Sequence, residues 1–263
     1  MQRLLAFAFL VSTMATASAL NPEFQWNSPS DPYLVKLRND YQLDNLVAGK
    51  SDDLERIQLV SNWVRSRWVH DPMNEAKVPD PISILEEASR GTHFRSTESA
   101  VVLSGALNAL GIPARVVGLM RKDAETAESY SGHVVVEAYL RHNQKWIVVD
   151  AKWDCIPLLN GEPLNAVELR DALANGREGL SIKSLSGPTP EAFFDYINPL
   201  LYFFDTKLDS RFEPGKAPYD RHSGALMLIP AGAQEPKVFQ RVWPLENMLF
   251  THSVDLFYAA PRI

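Results

Sequence analysis

The chain has 263 residues, a formal net charge of −6 and 46% hydrophobic residues, an ordinary globular composition with enough apolar material for a full core. Its 26 lysines and arginines are dispersed rather than gathered into the basic patch that a phosphate backbone requires, so nucleic acid is not an expected partner. A single cysteine, Cys155, excludes an internal disulfide, and its expected role is that of a small buried hydrophobe.

At the N-terminus, Gln2-Arg3 precedes the apolar run Leu4 to Val11, and Ala17-Ser18-Ala19 offers a cleavage site of the small-x-small kind. This pattern predicts a signal peptide over residues 1–19. The apolar run is too short for a membrane span, which needs about 20 residues, so a secreted or periplasmic protein without a stable membrane span is expected after cleavage. Residues 20–50, beginning with a Pro-, Asn- and Ser-rich stretch, are expected as an N-terminal arm.

A core over residues 51–176 follows. Ser51-Asp52-Asp53 caps a helix whose Leu54, Ile57, Val60, Val64 and Trp68 form one apolar stripe. Asp80-Pro81 opens a second helix, Ile82 to Ser89, with Asp as cap and Pro at the first position. A Gly91 loop then leads into an apolar helix, Val101 to Leu110, stopped by Gly111 and Pro113. Its buried face, on Ala100, Leu103, Leu107 and Leu110, anchors the helix and presents Ser96 at the first turn.

Ile112 to Met120 reads as a strand, and the polar Arg121 to Gly132 as a loop that could rim a cleft. His133 to Leu140 and Trp146 to Asp150 read as a hairpin turning at His142-Asn143. In that register Val135 faces Asp150, which puts His133 diagonally beside Asp150, with roughly 7 to 8 Å between such positions and within reach of an imidazole and a carboxylate. A slip of one residue would separate the two across the sheet. A helix-start hydroxyl, a strand His and a next-strand Asp are, in that order, the parts of a nucleophile triad. Ser96 also suits a plain helix cap, and His133 with Asp150 a polar cross-strand pair.

The assembly resembles the transglutaminase-like superfamily, the branch of papain-like folds whose core reads Cys-x-x-Tyr-Ala, an apolar helix, Leu-Gly-Ile-Pro-Ala-Arg, then His-x-x-x-Glu and Trp-x-x-x-Asp. Here those positions are Ser96 to Ala100, Leu110 to Arg115, His133 to Glu137 and Trp146 to Asp150. The resemblance covers roughly Leu54 to Leu173. It implies an α+β fold in which the helix carrying the nucleophile position packs on an antiparallel sheet. Beyond Pro188, aromatic segments such as Phe193-Phe194, Tyr196 and Tyr202-Phe203-Phe204 alternate with Pro-rich turns, and a C-terminal extension, residues 177–263, packed on the core is expected.

The resemblance also implies acyl transfer or hydrolysis at amide bonds of peptides, proteins or cell-wall peptides. The nucleophile falls on Ser96, the base on His133 and its orienter on Asp150. His93 is a candidate second oxyanion donor, and Glu137 and Trp153 are candidate cleft-lining residues. Family members use cysteine, whose thiolate pairs with imidazolium at the positive end of a helix. An alcohol is far harder to ionise, so weak or no acyl transfer is expected of the chain as it stands. The alternative is a non-catalytic module that binds a peptide or glycopeptide. No cofactor is implied, and the six His residues, without metal-binding spacing, give no metal site.

Beyond Asp150, a turn at Asn160-Gly161 and a variant capping box, Asn165 with Glu168, open a short helix that ends at Asn175-Gly176. Gly224 to Pro230, Asn247 to Phe250 and Val254 to Tyr258 read as strands. His252 reads as a hydrogen-bonded structural residue.

Overall fold

The computed structural model describes residues 23–216, 218–219 and 223–262; the expected signal peptide, residues 1–19, lies outside them. Helices come first: α1 (Pro32–Asp40), α2 (Leu43–Leu46), α3 (Asp53–Arg65), α4 (Pro81–Ser89) and α5 (Ser96–Ala109). Asp52 caps α3 by accepting from the Glu55 N–H at 3.1 Å, and Asp80 caps α4 by accepting from Ile82 and Ser83, with Pro81 at the first helical position. The same device builds α1 inside the segment expected as an arm. Asp31 caps it, Pro32 starts it, and Tyr33, Leu34 and Leu37 are buried in one cluster with α5. The Tyr33 hydroxyl then donates to Asp80 at 2.6 Å, fastening α1 to the cap of α4.

Strands dominate the remainder: β1 (Ala114–Met120), β2 (Gly132–Leu140), β3 (Lys145–Val149), β4 (Ile156–Leu159) and β5 (Glu162–Pro163). After α6 (Ala166–Ala174) come β6 (Leu180–Lys183), α7 (Pro190–Ile197), β7 (Phe203–Lys207), β8 (Ser223–Leu228), β9 (Val238–Phe239), β10 (Trp243–Pro244), β11 (Asn247–Thr251) and α8 (Val254–Phe257). Six strands form one sheet in the order β11-β8-β7-β1-β2-β3, antiparallel throughout except for the β11/β8 pair. Thus β7 and β8, from the C-terminal third, continue the sheet beyond β1.

The two faces of this sheet bury different partners. Val134, Val136, Ala138, Ile147 and Val149 pack with α5, α3 and α1, whereas Val135, Val148, Val117 and Leu119 pack with Phe193, Phe194 and Ile197 of α7 and with α6. Alternation along β2 therefore sends His133, Val135 and Glu137 to the face opposite α5. The chain is an α+β protein with α5 packed on a mainly antiparallel sheet. No helix among the described residues is long and apolar enough to cross a membrane.

The β2/β3 pairing has Val136 opposite Val149 and Leu140 opposite Lys145, which is the register read from a turn at His142-Asn143. Asn160 and Gly161 both take positive φ, 51° and 89°, as the two-residue β4/β5 turn requires. The Asn165/Glu168 capping box is formed in both directions.

Two local readings differ. Val254 to Tyr258, expected as a strand, begins with a helix because Ser253 accepts from the Leu256 N–H at 3.2 Å and caps it; Phe257 is fully buried. Trp68, expected on the helical stripe, lies past the end of α3 and is buried edge-on against Phe94 at 5.5 Å.

Candidate active site

The loop before α5 is stitched to the segment after α3. Phe94 is fully buried, its carbonyl accepts from the Asp71 N–H at 3.0 Å, and the His93 carbonyl accepts from Asn74 at 2.6 Å. His93 Nδ1 accepts from the Val69 N–H at 3.1 Å, which leaves the proton of a neutral ring on Nε2. Arg95 is the N-cap of α5 and its side chain makes no capping bond, so Ser96 is the first helical residue rather than the cap. Glu98, also in the first turn, is almost fully buried and is paired with Arg95 at 3.3 Å. Burial pushes its carboxyl up, opposed by the Arg95 charge.

Chain direction places the tip of α5 and the start of β2 at one end of the molecule. Ser104 and Asn108 both donate to the Ala114 carbonyl, at 3.0 and 2.7 Å, and Ala114 pairs with Ala138. The chain turns back from α5 into β1, and again from β1 into β2, so α5 and β2 run the same way. Going back from this shared point, Ser96 is about 12 Å along the helix and His133 about 17 Å along the strand.

His133 Nε2 donates to Asp150 Oδ2 at 2.6 Å, with both side chains buried. The other Asp150 oxygen accepts from the Trp153 N–H at 3.2 Å, and the Asp150 backbone exchanges both hydrogen bonds with Cys155. That tight turn requires Asp154 at φ 52°. Asp154 in turn accepts from Leu185 N, Ser186 N, Ser186 Oγ and Asn62 Nδ2 through one oxygen, tying the turn to a distant loop and to α3.

Ser96 makes no hydrogen bond to His133 among the described residues. The second imidazole nitrogen, Nδ1, instead lies 3.2 Å from the Tyr196 hydroxyl on α7, with the two rings edge to face at 5.2 Å. Lys152 Nζ donates to the same Tyr196 oxygen at 3.2 Å and lies 4.2 Å from the centre of its ring. Burial pushes the Tyr196 hydroxyl up and the Lys152 amine down, the latter against the attraction of Asp150.

His70 and Ser99, with Val64, Trp68, Ala151 and Lys152, line a cavity of about 10 Å³ between α3, the second turn of α5 and the turn after β3, room for about one water. Burial, with Lys152 and His133 close by, pushes His70 down to about 4.

The remaining sequence candidates separate. Trp153 is half-buried and packs against Tyr196 at 5.2 Å. Glu137 does not line a cleft. It is fully buried, its Oε2 accepting from Arg115 at 2.7 and 3.2 Å, its Oε1 from Ala166 N and the Tyr258 hydroxyl. Cys155 is buried, and burial raises its thiol well above the ordinary range. His252 Nδ1 lies within hydrogen-bond range of the Ile229 and Pro230 carbonyls. Among the described residues no three His, Cys, Asp or Glu side chains are grouped to hold a metal. Tyr196, Lys152 and His70 were missed by sequence reasoning. Tyr196 lies 63 positions from His133 in an aromatic stretch that reads as core, so no local signal marks it.

Among solved structures, the chain is similar to a candidate cysteine protease from Cytophaga hutchinsonii, at 15% identity over 73% of this chain and 57% of that one, with a TM-score of 0.38. It is also similar to the transglutaminase of red sea bream, at 16% identity over 66% of this chain and 33% of that one, with a TM-score of 0.38. LapG of Legionella pneumophila aligns at 12% identity over 64% of this chain and 92% of that one, with a TM-score of 0.34. The chain thus spans little more than half the length of the Cytophaga protein and a third of the bream enzyme. No curated protein matches it in sequence. The model of the transglutaminase-like superfamily matches residues 41–151, a span holding α3 to β3 together with Ser96, His133 and Asp150, and this part of the chain is a transglutaminase-like domain.

Proposed function

We propose that the chain is an exported protein built on the plan of an amide acyl transferase or hydrolase, with a peptide, protein or cell-wall peptide as substrate. Ser96 stands in the place of the nucleophile, His133 is the base and Asp150 its orienter. The observation that carries this reading is the buried 2.6 Å hydrogen bond between His133 and Asp150, at the end of the sheet where α5 presents its first turn. An attacking group at Ser96 would gain from the positive helix end, and the first-turn N–H groups and His93 Nε2–H would take up oxyanion charge. A hydroxyl in place of a thiol makes this a weak catalyst or a silent one, because no preformed thiolate is available.

The test restores the thiol. Ser96→Cys, treated with a peptide carrying a thiol-directed amide mimic, should label at residue 96, and the rate should fall about 100-fold when His133→Ala removes the base. Absence of labelling in the folded variant, from neutral to mildly alkaline pH, would overturn the reading. A second reading, a peptide or glycopeptide binding module, is favoured by the engagement of His133 Nδ1 with Tyr196 rather than with Ser96. It predicts saturable binding weakened at Trp153 and no turnover; turnover abolished by Ser96→Ala would exclude it.

A further inference from the structure

His133 is engaged on both nitrogens, and the donor inventory fixes the direction of the chain of bonds. The Asp150 carboxylate only accepts, so Nε2 of the neutral ring carries the proton. The Lys152 ammonium only donates, so the Tyr196 oxygen accepts from it, and the phenol proton is left for the lone pair on Nδ1. The chain therefore runs Lys152 to Tyr196 to His133 to Asp150. That lone pair is also the one a base at this position must offer to residue 96.

We propose that Tyr196, oriented by Lys152, is a positioning residue that occupies His133 Nδ1 and competes with the side chain at position 96 for the imidazole lone pair. The proposal deepens the acyl-transfer reading and rests on it for its consequence, though the hydrogen bond itself does not. In this arrangement the C-terminal third of the chain, through α7, determines whether His133 is free to act as a base. Substrate that displaces the Tyr196 hydroxyl would release the lone pair; without displacement the lone pair stays occupied. The charged and titratable groups facing the imidazole are Asp150 from the end of β3, Lys152 from the turn that follows, Tyr196 from α7 and His70 from the segment after α3.

Tyr196→Phe keeps the ring contacts with His133 and Trp153 and removes only the hydroxyl. Two measurements on this variant separate the proposal from the function it deepens. In the imidazole nitrogen resonances of the Ser96 protein, loss of the phenol proton should move Nδ1 downfield by several parts per million while Nε2 stays protonated. In the Ser96→Cys protein, the same change should raise the alkylation rate of Cys at residue 96 about five- to tenfold, the worth of one hydrogen bond. An unmoved Nδ1 resonance, or alkylation slowed by Tyr196→Phe, would overturn the proposal. A shifted resonance with no alkylation in either protein would confirm the hold on Nδ1 and retire the acyl-transfer reading instead.

Discussion

At the scale of single residues, His70 is a histidine whose charged form its surroundings disfavour. It sits beside Lys152 in the cavity under Trp68, and burial first, then the Lys152 charge, brings it down to about 4. The sign of the effect on stability follows from proton counting. Between about pH 6.5 and about pH 4 the unfolded chain binds a proton at this histidine and the folded chain does not, so stability falls as the pH drops through that window and levels off below it. The carboxylates held low by their partners, Asp53, Asp80, Asp44 and Asp209, lose their contributions further down, so the windows are separable. His70→Gln should therefore reduce the drop in Tm between about pH 7 and about pH 4.5 without abolishing it. An identical drop in both proteins would show that His70 titrates freely in the folded state.

At the scale of elements, α5 shows how packing reverses a propensity. Gly105 sits inside a helix, where replacement by Ala ordinarily gains up to about 1 kcal/mol. A Cβ at Gly105, however, would lie 2.7 Å from the Pro81 ring and 3.3 Å from both Leu37 and Phe212, where α5 meets α1 and α4. Overpacking of this kind costs about 1 to 3 kcal/mol, and the Pro81 ring at the capped start of α4 has little freedom to yield. Gly105→Ala should thus be net destabilising in urea titrations, and a stabilised variant would refute the close approach. The sequence pattern shows where elements begin through Asp52, Asp80 and Asn165, because caps act locally, and it placed His133 beside Asp150 because a hairpin turn at His142-Asn143 fixes the pairing of the two strands. It could not show Tyr196, Lys152 or the cage around Glu137, since those contacts depend on how separate elements meet. The Ser253 cap of α8 was overlooked beside an apolar run that also reads as a strand.

At the scale of the whole molecule, Arg115 joins the two ends of the described chain to the sheet. Its side chain is fully buried, its guanidinium carbon lies 4.5 to 5.6 Å from the ring centres of Trp146, Phe257, Tyr258 and Phe24, and its Nη1 donates to the Phe257 carbonyl at 2.7 Å. With β7 inserted between β1 and β8, this makes the C-terminal third part of the fold that supports the site rather than a layer laid over it. A buried ion pair adds little net stability over apolar residues of equal volume, yet removing one partner costs about 3 to 5 kcal/mol because the other charge is stranded. Arg115→Met leaves Glu137 with only Ala166 N and Tyr258 to compensate a buried carboxylate, and should lose most of that amount in denaturant unfolding. Adding Glu137→Gln removes the stranded charge and should recover part of the loss, a coupling a double-mutant cycle measures directly. The cage makes a further demand. In Arg115→Met the amides of Tyr258 and Trp146 should exchange faster together, one at the C-terminal end and the other on β3. Faster exchange at Tyr258 alone would mean that Arg115 fastens only the terminal helix and not the sheet that carries His133 and Asp150.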